Sequence, residues 1–285
     1  MKISATGLAE GQMKMSERSG AGGRKGLYSP WRLATLTGAF LLIAVNPFLN
    51  FYFHWNFIQG WYQSLGIGRL WFVSPLEGLE SLLITKTVYG PSLVGMAIPV
   101  LIALLLGRVF CSWLCPVSFL LEMVDRVRRR LARQPILKNS LVVAKKVLWF
   151  TLIAELVLSL ILGTPLFVFL SPPGLVGREL MMAVFFKKLA LEGILIIAII
   201  LLELLTRRFF CRSFCPLGGL LALFGRNRKL RVRVDAKNCS ACGKCARRCP
   251  MGLDPAEGEG ESAYCWNCGE CIDTCRERAL DFHWR

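Results

Sequence analysis

Cys239-Ser240-Ala241-Cys242-Gly243-Lys244-Cys245-Ala246-Arg247-Arg248-Cys249-Pro250 and Cys265-Trp266-Asn267-Cys268-Gly269-Glu270-Cys271-Ile272-Asp273-Thr274-Cys275 lie near the carboxyl end of the chain. The first run is C-x2-C-x2-C-x3-C-P and the second repeats its spacing without the proline, a pattern that holds two [4Fe-4S] clusters in bacterial chains. In that pattern the fourth cysteine of each run ligates the other cluster. One cluster is therefore expected on Cys239, Cys242, Cys245 and Cys275, and the second on Cys265, Cys268, Cys271 and Cys249. Two residues between thiolates let three sulfurs converge on one cubane, and the distant fourth closes the cage. Zinc modules usually pair their ligands two by two, which fits this spacing poorly. Disulfides are disfavoured by the reducing side of the membrane on which the segment is expected.

Upstream of these runs the chain is strongly apolar. Of its 285 residues 54% are hydrophobic and 19% charged, and a mean hydropathy of +0.48 is high for an ordinary soluble domain. The apolar residues collect into stretches that approach the roughly 20 residues a bilayer crossing needs. Four spans are expected, over about 33–53 (broken near its far end by Asn46 and Pro47), 92–110, 147–170 (with Pro165 near its exit) and 189–205. Before them, residues 1–32 are polar and basic, with no signal-peptide pattern, and read as a disordered cytoplasmic arm. The membrane domain is expected over 33–225 and the two-cluster domain over 226–285, after the basic link Arg226 to Arg233.

Orientation follows from Lys and Arg in the connections. There are six before the first span, two in 54–91, nine in 108–146, three in 171–188 and fifteen from 206 onward. This alternation places both termini in the cytoplasm, in a multi-pass protein of the bacterial inner membrane surrounded by lipid. The net charge of +16 is accounted for by the same asymmetry, so no nucleic-acid partner is expected. An aromatic-rich stretch, Phe51 to Trp71, suits the headgroup belt of the first outer loop.

The membrane part is duplicated. Gly107-Arg108-Val109-Phe110-Cys111-Ser112-Trp113-Leu114-Cys115-Pro116 is echoed 100 residues later by Arg207-Arg208-Phe209-Phe210-Cys211-Arg212-Ser213-Phe214-Cys215-Pro216. Phe72-Val73-Ser74-Pro75 is likewise echoed by Phe169-Leu170-Ser171-Pro172. Each half reads as span, Ser-Pro turn with a short amphipathic helix, span, and C-x3-C-P at the inner surface. The fold class is thus an all-α membrane protein, four transmembrane helices forming two parallel αα repeats, with a small α+β two-cluster domain at the carboxyl end.

If the repeat axis brings both C-x3-C pairs together, Cys111, Cys115, Cys211 and Cys215 surround one point below the membrane. Three readings stay open: a four-thiolate site for a third redox centre or a soft metal such as Cu(I), redox-active thiols, or inert cysteines packing helix ends. Glu155, near the middle of the third span, is the candidate for proton handling, because a mid-bilayer carboxylate costs about 3 kcal/mol; a protonated carboxyl hydrogen-bonded between helices is the equal alternative. Glu192 and Glu203, at the ends of the fourth span, read more readily as hydrogen-bonded structural groups. Glu77, Glu80, Arg178 and Glu179 follow the Ser-Pro turns, where they would frame a quinone headgroup or remain solvated. His54 alone cannot hold a haem between two histidines.

From about residue 33 to the end the chain resembles the NapH-type membrane ferredoxins of periplasmic nitrate reductase systems. The resemblance rests on four spans, the paired C-x3-C-P motifs, the two-cluster tail and the run Pro172-Pro173-Gly174-Leu175-Val176-Gly177-Arg178. Related groups are the membrane parts of the nitrous oxide reductase regulator, the methylamine-utilisation ferredoxins and the copper-oxidase assembly ferredoxin. The resemblance implies a quinol dehydrogenase subunit that passes electrons to a periplasmic ferredoxin or multihaem cytochrome. It implies cluster ligation by the eight carboxyl-terminal cysteines and redox importance for the other four. Arg276 stands where a proline would follow the last cysteine, which bears on the turn rather than on ligation. Cytoplasmic clusters and a periplasmic acceptor require a conductor across the bilayer, for which the C-x3-C-P centre and a bound quinone are candidates. Flow in the opposite direction stays open. The alternatives are a ferredoxin-type copper reductase or metallo-oxidase assembly factor, and a redox-sensing membrane anchor.

Overall fold

The computed structural model describes residues 26–53, 58–60, 64–67, 70–87, 90–131, 143–167, 171–188 and 193–285. The chain is mostly helical, with a small carboxyl-terminal sheet. Helix α1 (Tyr28–Phe53) is followed by strands β1 (Ile58–Gly60), β2 (Ser64–Ile67) and β3 (Leu70–Val73), then α2 (Pro75–Thr85) and α3 (Gly90–Leu106). The first C-x3-C segment forms α4 (Val109–Trp113), and α5 (Pro116–Leu131) starts at its proline. The second half gives α6 (Val147–Leu162), α7 (Pro172–Phe185), α8 (Gly193–Leu205), a π-helical turn (Phe210–Phe214) and α9 (Pro216–Phe224). The tail contains β4 (Leu230–Val234), α10 (Lys244–Arg248), α11 (Glu270–Thr274) and β5 (Leu280–Trp284).

Several boundaries depart from the sequence reading. Helix α1 begins at Tyr28, inside the expected arm, because Asp273 accepts hydrogen bonds from the backbone N–H groups of Leu27, Tyr28 and Ser29 at 2.9, 3.1 and 2.7 Å. A carboxylate there satisfies donors that the first turn leaves unpaired and meets the positive end of the helix dipole. The helix also runs unbroken through Asn46 and Pro47; a proline deletes one ladder bond while the turns on either side continue. Helix α3 stops at Leu106, not Phe110, where Gly107 takes a φ of +75°. In the same way Gly163, at φ +63°, ends α6 well before Pro165. Glycine supplies this left-handed cap without the Cβ penalty.

The largest departure is the first outer loop, expected as an aromatic belt in an all-α domain. It forms a three-stranded antiparallel meander with Leu65 opposite Phe72 and Gly66 opposite Trp71. Strand β3 lies on α3, where the Trp71 carbonyl approaches Gly95 so closely that a side chain there has no room. His54 and Glu192 lie outside the described residues.

The two halves pack reciprocally. Helix α1 of the first half meets α7 of the second, and α6 of the second meets α2 of the first. Likewise α5 packs on α8, and α9 on α3. Away from these contacts the four apolar helices present large hydrophobic side chains outward, among them Leu41, Leu101, Phe150, Ile161, Ile194 and Leu201, each about half exposed or more. In the tail, β4 and β5 pair antiparallel from Leu230 opposite Trp284 to Val234 opposite Leu280.

Candidate iron–sulfur and thiol centres

The two cysteine runs fold alike. In each, a glycine in the left-handed region, Gly243 or Gly269, opens a five-residue helix that ends at an extended cysteine, Cys249 or Cys275. Two residues before each glycine, Ala241 and Asn267 are also left-handed, with φ of +49° and +54°. Alternating left-handed residues turn successive N–H groups to one side, the arrangement that cradles an anion.

Cys249, Cys265, Cys268 and Cys271 line one cavity together with Val232, Leu253, Pro255 and Trp266. These are the four cysteines assigned to the second cluster, and the structure brings them together, including the crossed-over Cys249. Cys245 and Cys275 pack in the adjoining small core with Cys271, Val232, Ile272 and Leu280. Cys239 and Cys242 precede α10 in coil, with Cys242 exposed. Cys271 lies within electrostatic reach of Cys245 as well as of Cys268, Cys265 and Cys249, so the two runs adjoin.

A second cavity is lined by Cys111, Cys115, Cys211 and Cys215, with Arg108, Phe110, Pro172, Pro173, Phe210 and Leu217. Both halves distort their helix there. The Phe110 carbonyl accepts from Cys115 N, five residues on, at 3.0 Å, and Phe210–Phe214 is a π-helical turn. Such widened turns recur at functional positions because they redirect side chains that a regular helix would hold apart. Burial pushes all four thiols up, Cys215 to about 12, so metal loading there would release protons. Among the described residues no three Cys, His, Asp or Glu side chains converge as closely as one metal ion demands. A lone zinc draws its sulfurs to about 2.3 Å; here each set of four thiols lines a cavity.

The two cavities are joined. Ser112 Oγ donates to the Trp266 carbonyl at 2.7 Å and Trp113 Nε1 to the Asn267 carbonyl at 3.1 Å. The first C-x3-C segment thus docks on the loop between Cys265 and Cys268. Beside this contact lies a buried ionic network that sequence reasoning did not foresee. Arg32 binds Glu122 at 2.8 Å and Glu270 at 2.7 Å, Arg208 binds Glu122 at 2.9 Å, and Arg207 binds Asp125 at 3.2 Å. It ties α1, α5, the link after α8 and the cluster-binding loop into one unit. The signal was present in the duplicated motif, which carries arginine three residues before each first cysteine, Arg108 and Arg208.

The carboxylates divide by role. Glu203 is buried at the end of α8 and accepts the Arg208 N–H at 2.7 Å, a structural arrangement. Glu80 accepts from Ser159 Oγ and from Phe167 N, both at 3.1 Å, and so fastens α2 to the end of α6. Glu155 on α6 is half-buried, within electrostatic reach of Glu80, and its buried Oε1 has no hydrogen-bond partner among the described residues. Burial, with Glu80 beside it, pushes Glu77 up to about 7. Arg178 and Glu179 lie on α7.

Two linked runs of clustered thiols, one with the spacing and fold of a cluster-binding loop, define a ferredoxin-type electron-transfer protein. A family model described as a 4Fe-4S binding domain matches residues 90–134 and 191–233, once over each C-x3-C-P segment. An uncharacterised protein of Methanocaldococcus jannaschii is 31% identical over 217 residues, covering 72% of this chain and 84% of that protein. The methylamine utilization ferredoxin-type protein MauN of Methylorubrum extorquens is 32% identical over 202 residues, 69% of this chain and 67% of MauN. The ferredoxin-type protein NapH of Escherichia coli is 29% identical over 234 residues, 78% of each. No solved structure matches. The chain belongs to the NapH-type ferredoxin family.

Proposed function

We propose that this chain is a multi-pass inner-membrane subunit that oxidises quinol and hands electrons to a redox partner on the outer side. Its four apolar helices α1, α3, α6 and α8 would cross the bilayer as two parallel repeats. Helix α1 is long and apolar enough to cross by itself. The other three have 17, 16 and 13 residues, about 20–25 Å at 1.5 Å each. These are short for a ~30 Å core, and the residues preceding α3 and α8 lie outside those described. The outward-facing Leu, Ile and Phe on all four helices support the reading, since water would penalise so continuous an apolar surface.

The carrying observation is the hydrogen-bonded junction of Ser112 and Trp113 with the Cys265–Cys268 loop. These bonds seat the first C-x3-C segment against the Cys265–Cys268 loop, which supports electron transfer between them. We assign one cluster to Cys239, Cys242, Cys245 and Cys275 and a second to Cys265, Cys268, Cys271 and Cys249. A third redox centre is assigned to Cys111, Cys115, Cys211 and Cys215. The clusters would supply one-electron storage, and the protein would fix their spacing and bury the second of them. Quinol releases two electrons and two protons on becoming quinone; Glu155, whose Oε1 has no hydrogen-bond partner among the described residues, would accept one proton and water at the membrane surface the other.

Anaerobically purified protein should contain roughly twelve irons per chain with matching labile sulfide, four per cluster. The Cys111→Ala, Cys211→Ala double variant should keep about eight. Four irons or fewer after reconstitution sinks the two-cluster assignment. Reduced quinone analogues should reduce the clusters when the partner is present, and clusters that stay oxidised under those conditions exclude quinol as the donor.

A further inference from the structure

We propose that Arg108 is the positive charge shared by the thiol centre and the second cluster, setting the reduction potential of both. The inference rests on the cluster assignment above. Arg108 is 1% exposed. It lines the cavity of Cys111, Cys115, Cys211 and Cys215. Its Nη2 donates to the Cys211 carbonyl at 3.0 Å, and its Nη1 to the carbonyl of Tyr264, the residue before Cys265, at 3.5 Å. It also acts on the Cys111 thiol through its charge and a side-chain hydrogen bond.

Its counterpart in the other repeat is neutralised differently. Arg208, fully buried, faces Glu122 at 2.9 Å, Asp125 at 3.9 Å and Glu203 at 4.0 Å. Among the described residues Arg108 has no carboxylate within ion-pair distance and its Nε has no hydrogen-bond partner; its guanidinium is held by the Cys211 and Tyr264 carbonyls and the Cys111 thiol. Burying a guanidinium without an anion is strongly unfavourable. The negative charge this site lacks is what thiolate-bound clusters carry. Gly218 completes the seat, because a Cβ there would come within 2.6 Å of Arg108 Nη2. Arg228, also buried and bound to carbonyls, acts on Cys265 but does not line the thiol cavity. Arg108 alone of the two reaches both centres.

A fixed cation beside a cluster favours the added electron, so removing it makes reduction harder. The test is an EPR-monitored redox titration of the full-length protein in lipid nanodiscs. Arg108→Gln should make the thiol centre and the Cys265 cluster each about tenfold harder to reduce, 59 mV for one electron, while the Cys239 cluster stays put. Arg108→Lys, which keeps the charge, should recover most of the shift, and Arg228→Gln should move the Cys265 cluster alone. Unchanged potentials in Arg108→Gln with iron intact, or identical behaviour of the Gln and Lys variants, overturns the proposal. Should Arg108→Gln fail to accumulate, Gly218→Ala displaces the guanidinium without removing it. It must lower the same two potentials, and no shift there is equally fatal. If the Cys111→Ala, Cys211→Ala variant loses no iron, the third centre is wrong; the Cys265 cluster then still reports separately on Arg108.

Discussion

Of the eight cysteines in the carboxyl-terminal runs, Cys242 is exposed whereas Cys245, Cys249, Cys268 and Cys271 are buried. Solvent reaches a cluster through its exposed ligand, so the Cys242 site should be the first lost to oxygen or a chelator. Stopped-flow bleaching combined with EPR should show two phases, the faster belonging to that cluster; loss of the buried one first would contradict the assignment. Glu155→Gln should slow quinol-driven reduction while leaving iron content and the rate with dithionite unchanged. Equal slowing with both reductants would mean a structural role. The x2 and x3 intervals led to the grouping of Cys249 with Cys265, Cys268 and Cys271, which line one cavity; the companion set of Cys239, Cys242, Cys245 and Cys275 rests on spacing. Arg108, Ser112 and Glu122 were not, since a buried cation and a surface cation look identical in a sequence until the chain folds over them.

Helix α5 carries the carboxylates that neutralise the buried arginines, and its stability is tied to pH through them. Burial acts to raise the Glu122 carboxyl, but Arg32 and Arg208 outweigh it and hold the group down at about 2. A carboxyl depressed in the folded state contributes stability above its unfolded value, near 4.5, which disappears as pH falls toward 2. Stability measured by cluster bleaching should therefore drop across that window. Glu122→Gln should flatten the drop and cost about 3–5 kcal/mol at neutral pH, the penalty for leaving buried charges without their partner. An unchanged acid profile in that variant would refute the assignment. Helices such as α3 and α6 were legible from continuous apolar runs, but their ends were not. Apolar residues recur past Arg108 at Val109 and Phe110 and past Leu162 from Leu166 onward, and the stops come from the left-handed conformation of Gly107 and Gly163. The β1–β3 meander departs from the all-α reading, because aromatic residues suit a headgroup belt and a strand equally well.

For the molecule entire, the duplication was readable because the C-x3-C-P and Ser-Pro signatures recur in order, whereas the reciprocal packing of the halves has no counterpart in linear sequence. If the four apolar helices cross the bilayer as proposed, a cysteine introduced at Lys86 should react with a membrane-impermeant thiol reagent from outside intact cells. One at exposed Arg226 should react only after lysis, and the opposite pattern would reverse the orientation. Asp273, which caps α1, sits between Cys271 and Cys275, so the beginning of α1 is finished by a residue of the carboxyl-terminal cysteine run. Translation delivers that helix first and its cap nearly last. If the tail closes only once its metal centres are in place, the start of α1 should stay ragged until then, and a cell short of iron should hold a pool of incompletely wound protein that proteases attack at its amino-terminal edge.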